Sequence, residues 1–179
     1  MPSCFDLYMN MYERAKKGER FDSENEINKN FPGLKSGKFA EKCVSEVLED
    51  HKIKTKGKDR IIERKSSSRK TSTYQADGFI PSLDIYVEVK NYLFGSSGTA
   101  GEKLPNFLLK AEEYDKKVLI VFCGEHDLLK DDPSSKIWTA FHTPESCTSP
   151  GTLALVNAVR EKIFDIVKLS ELQDWAKQH

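Results

Sequence analysis

Two carboxylates and a lysine, Asp77, Glu88 and Lys90, lie in a stretch whose pattern predicts a β-hairpin. Over residues 83–90, apolar and polar residues alternate, as in a strand with one buried side. This pattern turns Glu88 and Lys90 towards solvent. Two carboxylates and an ammonium group that converge from a rigid sheet would form a site for a hard cation with a cationic partner.

The expected register of the hairpin brings the two carboxylates together. Pro81-Ser82 forms the predicted turn, because proline pre-sets the φ angle of that position, and residues 74–79 form the partner strand. Asp77 is then opposite Tyr86 and diagonal to Glu88, at a Cα distance of roughly 7–8 Å, so both carboxylates can reach one ion. The alternative is a half-exposed hairpin whose charges only face solvent.

The spacing of Asp77 and Glu88-Val89-Lys90 resembles the PD-(D/E)xK nuclease superfamily, with Ala76 at the position of the proline. Residues 98–104 resemble the segment that follows this motif in several type II restriction endonucleases. The resemblance covers roughly residues 38–124. It implies a restriction-endonuclease-like fold, in which Asp77, Glu88 and the carbonyl of Val89 bind Mg²⁺, or Mn²⁺ in its place. Lys90 would orient the attacking water and stabilise the developing negative charge.

A further carboxylate is expected on the helix before the hairpin. Residues 38–50 carry a helical apolar stripe, and Glu41 and Glu46 lie on its opposite borders. Superfamily members often have a glutamate on this helix, and Glu41 matches that pattern best. Glu46 is the alternative, and a solvent-exposed glutamate at the helix border is equally compatible with the sequence.

A basic segment, residues 51–70, precedes the hairpin. It has nine basic and two acidic side chains, a net charge of +7, although the whole chain has 28 of each sign. Such a segment next to an acidic site favours contact with nucleic-acid phosphates, and a solvated loop is the alternative. Lys103, on the following helix, could approach a phosphate or face solvent. The side chains of the basic segment expected to contact DNA are Lys54, Lys56, Lys58 and Arg60.

The 179 residues suit a single domain, with an N-terminal helical arm over about residues 1–36 and a catalytic core over about 37–179. The four cysteines form no Cys-x-x-Cys pair, which favours reduced thiols and a cytoplasmic location. No apolar run reaches the length of a membrane span, and no secretory signal is expected.

The remaining pattern alternates helices and strands, which indicates an α/β fold with a mixed sheet and helices on both faces. Helices are expected at residues 5–17, from residue 99 with Pro105 in its first turn, at 152–163, and at the C-terminus with Ser170 as its cap. Strands are expected at 117–123, covered on both sides, at 136–141, and at 166–169 as an edge. Residues 19–37 are expected to form a loop or a short irregular arm.

These expectations favour an Mg²⁺-dependent type II restriction endonuclease, or its cleavage subunit, that cuts double-stranded DNA to leave 5′-phosphate and 3′-hydroxyl ends. A junction-resolving or repair nuclease of the same fold is one alternative, and a non-catalytic DNA-binding partner subunit is another. A double-strand cut requires two sites, so a homodimer or a heterodimer with a larger restriction subunit is expected. The interface cannot be located from the sequence, although the N-terminal helix with Tyr8, Met9 and Tyr12 is a candidate surface.

Overall fold

The computed structural model describes residues 2–57, 61–64, 72–94, 100–112, 114–129 and 133–179. Over these ranges, no helix combines the length and the apolar content needed to cross a membrane. The helices are α1 (Cys4–Lys16), α2 (Ser23–Asn30), α3 (Ser36–Asp50), α4 (Ala100–Ala111), α5 (Glu125–Leu128), α6 (Pro133–His142), α7 (Pro150–Val159) and α8 (Leu172–Gln178). The strands are β1 (Ile61–Arg64), β2 (Ser72–Gln75), β3 (Gly78–Ile80), β4 (Ile85–Tyr92), β5 (Val118–Gly124) and β6 (Ile163–Lys168).

A four-stranded mixed sheet in the order β3-β4-β5-β6 forms the centre of the fold. β3 is antiparallel to β4, whereas β4, β5 and β6 are parallel to one another. β1 and β2 form a separate antiparallel pair. Every residue of β5 is buried, as its continuous apolar run predicts for a strand covered on both sides.

Helices cover both faces of this sheet. Helices α1, α3 and α8 pack on one face, where Leu119 contributes to a cluster with Met11 and Leu48. Helices α4, α6 and α7 pack on the other face, where Ile120 joins Leu108 and Val156. Leu119 and Ile120 reach opposite clusters because successive side chains of a strand alternate between its faces. The expected α/β class, with a mixed sheet and helices on both faces, is confirmed.

The N-terminal helix begins at a capping box. The hydroxyl of Ser3 accepts a hydrogen bond from the Asp6 amide at 3.0 Å, and the Asp6 carboxylate accepts one from the Ser3 amide at 3.1 Å.

Tyr8, on the inner side of α1, is buried. The expectation that Tyr8 belongs to an interface surface is therefore wrong, whereas Met9 and Tyr12 are only partly buried.

The hairpin exists, but its register differs from the expected one. Ile80 pairs with Ile85, so the turn has four residues, 81–84. Asp84, the last of them, has a positive φ of 55°. Continued by one step, this register puts Asp77 opposite Glu88 rather than diagonal to it. A shift of two residues keeps every side chain on the same face, although Asp77 precedes the first residue of β3. The partner strand is also interrupted: residues 72–75 pair with β1 instead of β4.

Two further segments adopt helices that were not expected. Part of the predicted loop at residues 19–37 forms α2, whose first turn is capped by Asp22 through a 3.0 Å bond from the Asn25 amide. Residues 136–141, predicted as a strand, lie within α6. Ile137 and Ala140 are buried there at a helical spacing of three, which a short apolar window does not distinguish from a strand.

Three element boundaries also differ. Helix α4 includes Pro105 in its interior rather than in its first turn. Helix α7 ends before Ile163, which is the first residue of β6. Ser170 does not cap the last helix, since its hydroxyl donates to Asp127 at 2.6 Å. β6 is an edge strand of the sheet, as predicted.

Candidate functional site

Strand β4 carries Glu88 and Lys90 on the side of the sheet covered by α4. Glu88 is 2 % exposed, so the expectation that it faces solvent is wrong. Its Oε2 accepts a bond from Nζ of Lys90 at 2.8 Å, and its Oε1 accepts one from the hydroxyl of Tyr114 at 2.8 Å. The alternation of apolar and polar residues did not reveal this burial, because apolar and aromatic residues that follow in the chain cover the polar side of the strand.

The ammonium group of Lys90 lies between a carboxylate and an aromatic face. Its Nζ is 3.9 Å from the centroid of the Phe107 ring, which belongs to α4. The side chain of Lys90 remains 21 % exposed, whereas that of Glu88 is 3 % exposed. Lys90 therefore connects the buried carboxylate with the surface.

Asp77 lies next to the first residue of β3, where the ladder to β4 ends. The last pair of that ladder is Gly78 with Val87, and Oδ2 of Asp77 accepts a bond from the Val89 amide at 2.9 Å. The carboxylate of Asp77 therefore accepts the hydrogen bond that the backbone carbonyl of a further β3 residue would otherwise accept. The carbonyl of Val89 leaves β4 on the same edge as its amide, because one residue directs both groups to one side of a strand.

Burial determines the electrostatics of Glu88. Loss of solvent raises the pKa of this carboxyl above its ordinary value, and the Asp77 charge raises it further. The Lys90 ammonium and the Tyr114 hydroxyl act in the opposite direction but do not cancel the effect of burial. A neutral Glu88 is consequently favoured more than for an exposed glutamate, and a proton would compete with a cation for its oxygens.

A cavity of about 220 Å³ lies on the other side of β4, against α3. Glu41, Asp77, Lys56 and Val89 line it, so four of the residues singled out in the sequence meet here. Glu41 also forms an ion pair with Lys38 at 2.7 Å. The side chains of Glu88 and Lys90 lie on the opposite side of β4 from this cavity. Asp77 lines the cavity and also bonds the amide of Val89, the residue between Glu88 and Lys90.

Glu46, the alternative to Glu41, has a different location. Its Oε2 accepts a bond from the Phe5 amide at 3.0 Å, in the first turn of α1. A negative charge is favourable at this end of a helix, where backbone amides lack intrahelical partners. The structure therefore brings Glu41, and not Glu46, to the cavity that contains Asp77.

The donor atoms near Asp77 have the chemistry that Mg²⁺ requires. Asp77, Glu88 and the Val89 carbonyl supply oxygen ligands, which this hard cation prefers. Each oxygen of Glu88 accepts one hydrogen bond and keeps a second lone pair. In the described part of the chain, no three histidine, cysteine or acidic residues group closely enough to hold a metal ion. A cation would thus depend on two carboxylates, the carbonyl and water, a set that fits Mg²⁺.

One described residue of the basic segment, Lys56, pairs with β3. The amide of Lys56 donates to the Phe79 carbonyl at 2.8 Å, and the Phe79 amide donates back at 2.9 Å. Lys54 and Lys56 are exposed. Lys58 and Arg60 lie outside the described residues. Lys103 belongs to α4, and its side chain lies outside the described part.

A second buried carboxylate, Asp127, lies beyond the carboxyl end of β5. Its Oδ2 accepts bonds from the Tyr8 hydroxyl at 2.6 Å and the Ser170 amide at 2.8 Å, and its Oδ1 accepts one from the Ser170 hydroxyl at 2.6 Å. The Gly124 amide donates to the same Tyr8 hydroxyl at 2.8 Å. Gly124 has a φ of 69°, and a Cβ there would collide with the Tyr92 carbonyl. No sequence motif pointed to this network.

Tyr114 and Phe107 follow the apolar stripe of α4, and neither residue was singled out from the sequence. The position of Tyr114 after the end of that helix gives its hydroxyl access to Glu88. A tyrosine in an apolar stripe was the available signal, since a buried hydroxyl requires a partner.

Comparison of the chain with known protein families, with curated proteins and with solved structures finds no match.

Proposed function

We propose that the protein is an Mg²⁺-dependent DNA endonuclease of the PD-(D/E)xK type, most like a type II restriction endonuclease or its cleavage subunit. The observation that carries this proposal is the bond from the Val89 amide to Asp77, which holds this carboxylate against the strand segment containing Glu88 and Lys90. Asp77, Glu88 and the Val89 carbonyl would hold the cation, and Mn²⁺ could replace Mg²⁺.

When bound, the metal would lower the pKa of a coordinated water and offset negative charge on the phosphate. Lys90 would orient the attacking water and stabilise the charge that develops on the phosphate oxygens. Its partial exposure supports this role, since the ammonium group can contact a bound phosphate. Glu41, in the cavity with Asp77, would position a water or a second ion.

Lys54 and Lys56 support DNA as the substrate. Lys56 pairs with Phe79 of β3 and lines the cavity that contains Asp77, and Lys54 is exposed two residues before it, so both could contact DNA phosphates. The products would carry 5′-phosphate and 3′-hydroxyl ends. Cleavage of both strands would require two copies of the site, in a homodimer or with a larger subunit.

A non-catalytic DNA-binding subunit is the second candidate. The contact between Lys90 and Glu88 at 2.8 Å favours it, because the ammonium group already neutralises the carboxylate that a cation would need. A junction-resolving or repair nuclease would use the same residues on a different DNA structure. The three functions predict different products from the same assay.

The test is incubation of supercoiled plasmid and of a four-way junction with the protein and Mg²⁺, for the wild type and for Asp77→Asn. We expect discrete plasmid fragments from the wild type and none from the variant. Asp84→Asn is the matched control, because this acid lies in the same hairpin but is exposed and paired with Lys116 at 2.7 Å. Junction-selective nicking would favour a resolving enzyme, and DNA retention without cutting would favour the binding subunit. Near-normal cutting by Asp77→Asn would contradict the metal assignment.

A further inference from the structure

Tyr114 is fixed from several directions on the α4 side of β4. The residue is 2 % exposed, and its ring lies 5.7 Å from that of Tyr86 and 6.4 Å from that of Phe107, measured between centroids. Its carbonyl accepts a bond from Nζ of Lys162 at 2.8 Å. The phenol therefore has little freedom to move, and its hydroxyl is held at a defined position beside Glu88.

The hydroxyl of Tyr114 bonds only one of the two carboxylate oxygens. It donates to Oε1 of Glu88 at 2.8 Å, whereas Oε2 faces Lys90. A buried carboxylate with one oxygen anchored keeps its rotamer, so the position of the second oxygen is determined as well. A phenylalanine at residue 114 would preserve the ring packing and remove only this anchor.

We propose that Tyr114 is a positioning residue that holds Glu88 in the orientation required to bind a divalent cation. This inference rests on the proposed function. Tyr114 does not contact the cation; it fixes Oε1 and thereby leaves Oε2, which bonds Lys90, as the oxygen that would meet the cation. Partners of this kind behind a metal ligand typically contribute about 10–100-fold to metal affinity.

Phe107 completes this arrangement. When a cation binds Oε2 in its fixed position, the Lys90 ammonium loses part of its contact with the carboxylate. The ring of Phe107, 3.9 Å from Nζ, then keeps the ammonium group in place through a cation–π contact. Tyr114 thus acts on metal affinity through Glu88, whereas Phe107 acts on the lysine.

The experiment compares Tyr114→Phe with Tyr86→Phe. Tyr86 is the matched control because its ring packs on Tyr114, it is buried to the same degree, and its hydroxyl donates to Asp115 rather than Glu88, at 2.7 Å. Mn²⁺ affinity is measured by calorimetry, plasmid cleavage is measured over a range of Mn²⁺ concentrations, and stability is measured by urea denaturation.

We expect Tyr114→Phe to bind Mn²⁺ about 10–100-fold more weakly than the wild type and to recover cleavage when the Mn²⁺ concentration is raised. Tyr86→Phe should retain wild-type affinity at a comparable urea midpoint. Equal Mn²⁺ affinity for the two variants, with a wild type that binds and cuts, would overturn the role of Tyr114 alone. A wild type that binds no Mn²⁺ would overturn the proposed function and this inference together.

Discussion

Glu88 and Asp127 are both buried carboxylates, but their partners differ in charge and in origin. Glu88 is bonded by the ammonium of Lys90, two residues along the same strand, and by the hydroxyl of Tyr114. Asp127 is bonded by neutral donors alone within the described residues, the Tyr8 hydroxyl and the amide and hydroxyl of Ser170. These donors come from α1 and from the turn after β6, so Asp127 joins three distant segments of the chain.

This difference separates a structural carboxylate from a candidate reactive one. Burial raises the pKa of both groups, that of Asp127 from 3.8 to about 6, although hydrogen bonds from Ser170 and Tyr8 oppose the shift. Each oxygen of Asp127 is directed to donors that hold the fold together. Glu88 instead has a partly exposed cationic partner and lies on the strand that Asp77 contacts, which is the arrangement that the proposed metal site requires.

Removal of one donor from each region should therefore affect different properties. Under the proposed mechanism, Lys90→Ala should lower the cleavage rate about 10²–10³-fold, because it removes the charge that would stabilise the transition state. Ser170→Ala should leave the cleavage rate unchanged. It should lower the free energy of unfolding by about 1 kcal/mol, since it removes the hydrogen bond that the Ser170 hydroxyl donates to Asp127. Single-turnover cleavage and urea denaturation of both variants measure this contrast.

DNA affinity without Mg²⁺ serves as the control for Lys90. It should change little in Lys90→Ala if the ammonium acts mainly on the transition state. A variant that loses chiefly DNA affinity would identify Lys90 as a phosphate-binding residue and would leave the water-orienting role without support.

The pH dependence of stability should distinguish Asp127. Its folded pKa of about 6 exceeds the ordinary value of 3.8, so the folded protein binds a proton at pH values where the unfolded chain has released it. The stabilising contribution of the neutral form is complete below about pH 4 and is lost as the pH rises through about 6. This loss corresponds to about 3 kcal/mol.

Asp127→Asn should remove that contribution while an amide keeps the shape and most of the hydrogen bonds of the carboxyl. The free energy of unfolding, measured with urea at several pH values from 4 to 7, should fall less steeply with pH in Asp127→Asn than in the wild type. Asp84→Asn, an exposed acid on the hairpin turn, should follow the wild type. Parallel curves for the wild type and Asp127→Asn would contradict the raised pKa.

The same comparison explains which parts of the molecule were predictable from sequence. The helix at residues 38–50 and the buried strand at 117–123 have clear periodicity, and both were correct to within about two residues. The burial of Glu88 was not predictable, because it depends on the position of Tyr114 after the end of α4. Tyr8 and Asp127 are 119 positions apart, so their contact leaves no local pattern. The hairpin register was also not predictable, because the four-residue turn uses a left-handed backbone at Asp84, whereas Pro81-Ser82 predicted a two-residue turn.

The two regions should also differ in their contribution to DNA affinity. Lys56 is exposed next to β3 and Asp77, and Lys54 is exposed two residues before it, whereas Lys16 and Lys17 are exposed at the end of α1, the helix that contacts Asp127. Each phosphate contact adds about 0.9 to the slope of log K against log salt concentration. Two contacts would therefore contribute roughly 1.8 to that slope, about a tenfold change in affinity between 50 and 200 mM salt.

Replacement of Lys54 and Lys56 by glutamine should flatten the salt dependence by about this amount, and it should weaken specific and non-specific DNA alike, because phosphate contacts carry no base information. Replacement of Lys16 and Lys17 by glutamine removes the same charge and should leave the slope unchanged. Fluorescence anisotropy with labelled duplexes at a series of salt concentrations measures both slopes. An equal effect of the two double variants would mean that net charge alone governs binding, and a larger effect of Lys16 and Lys17 would move the DNA face to the α1 side of the molecule.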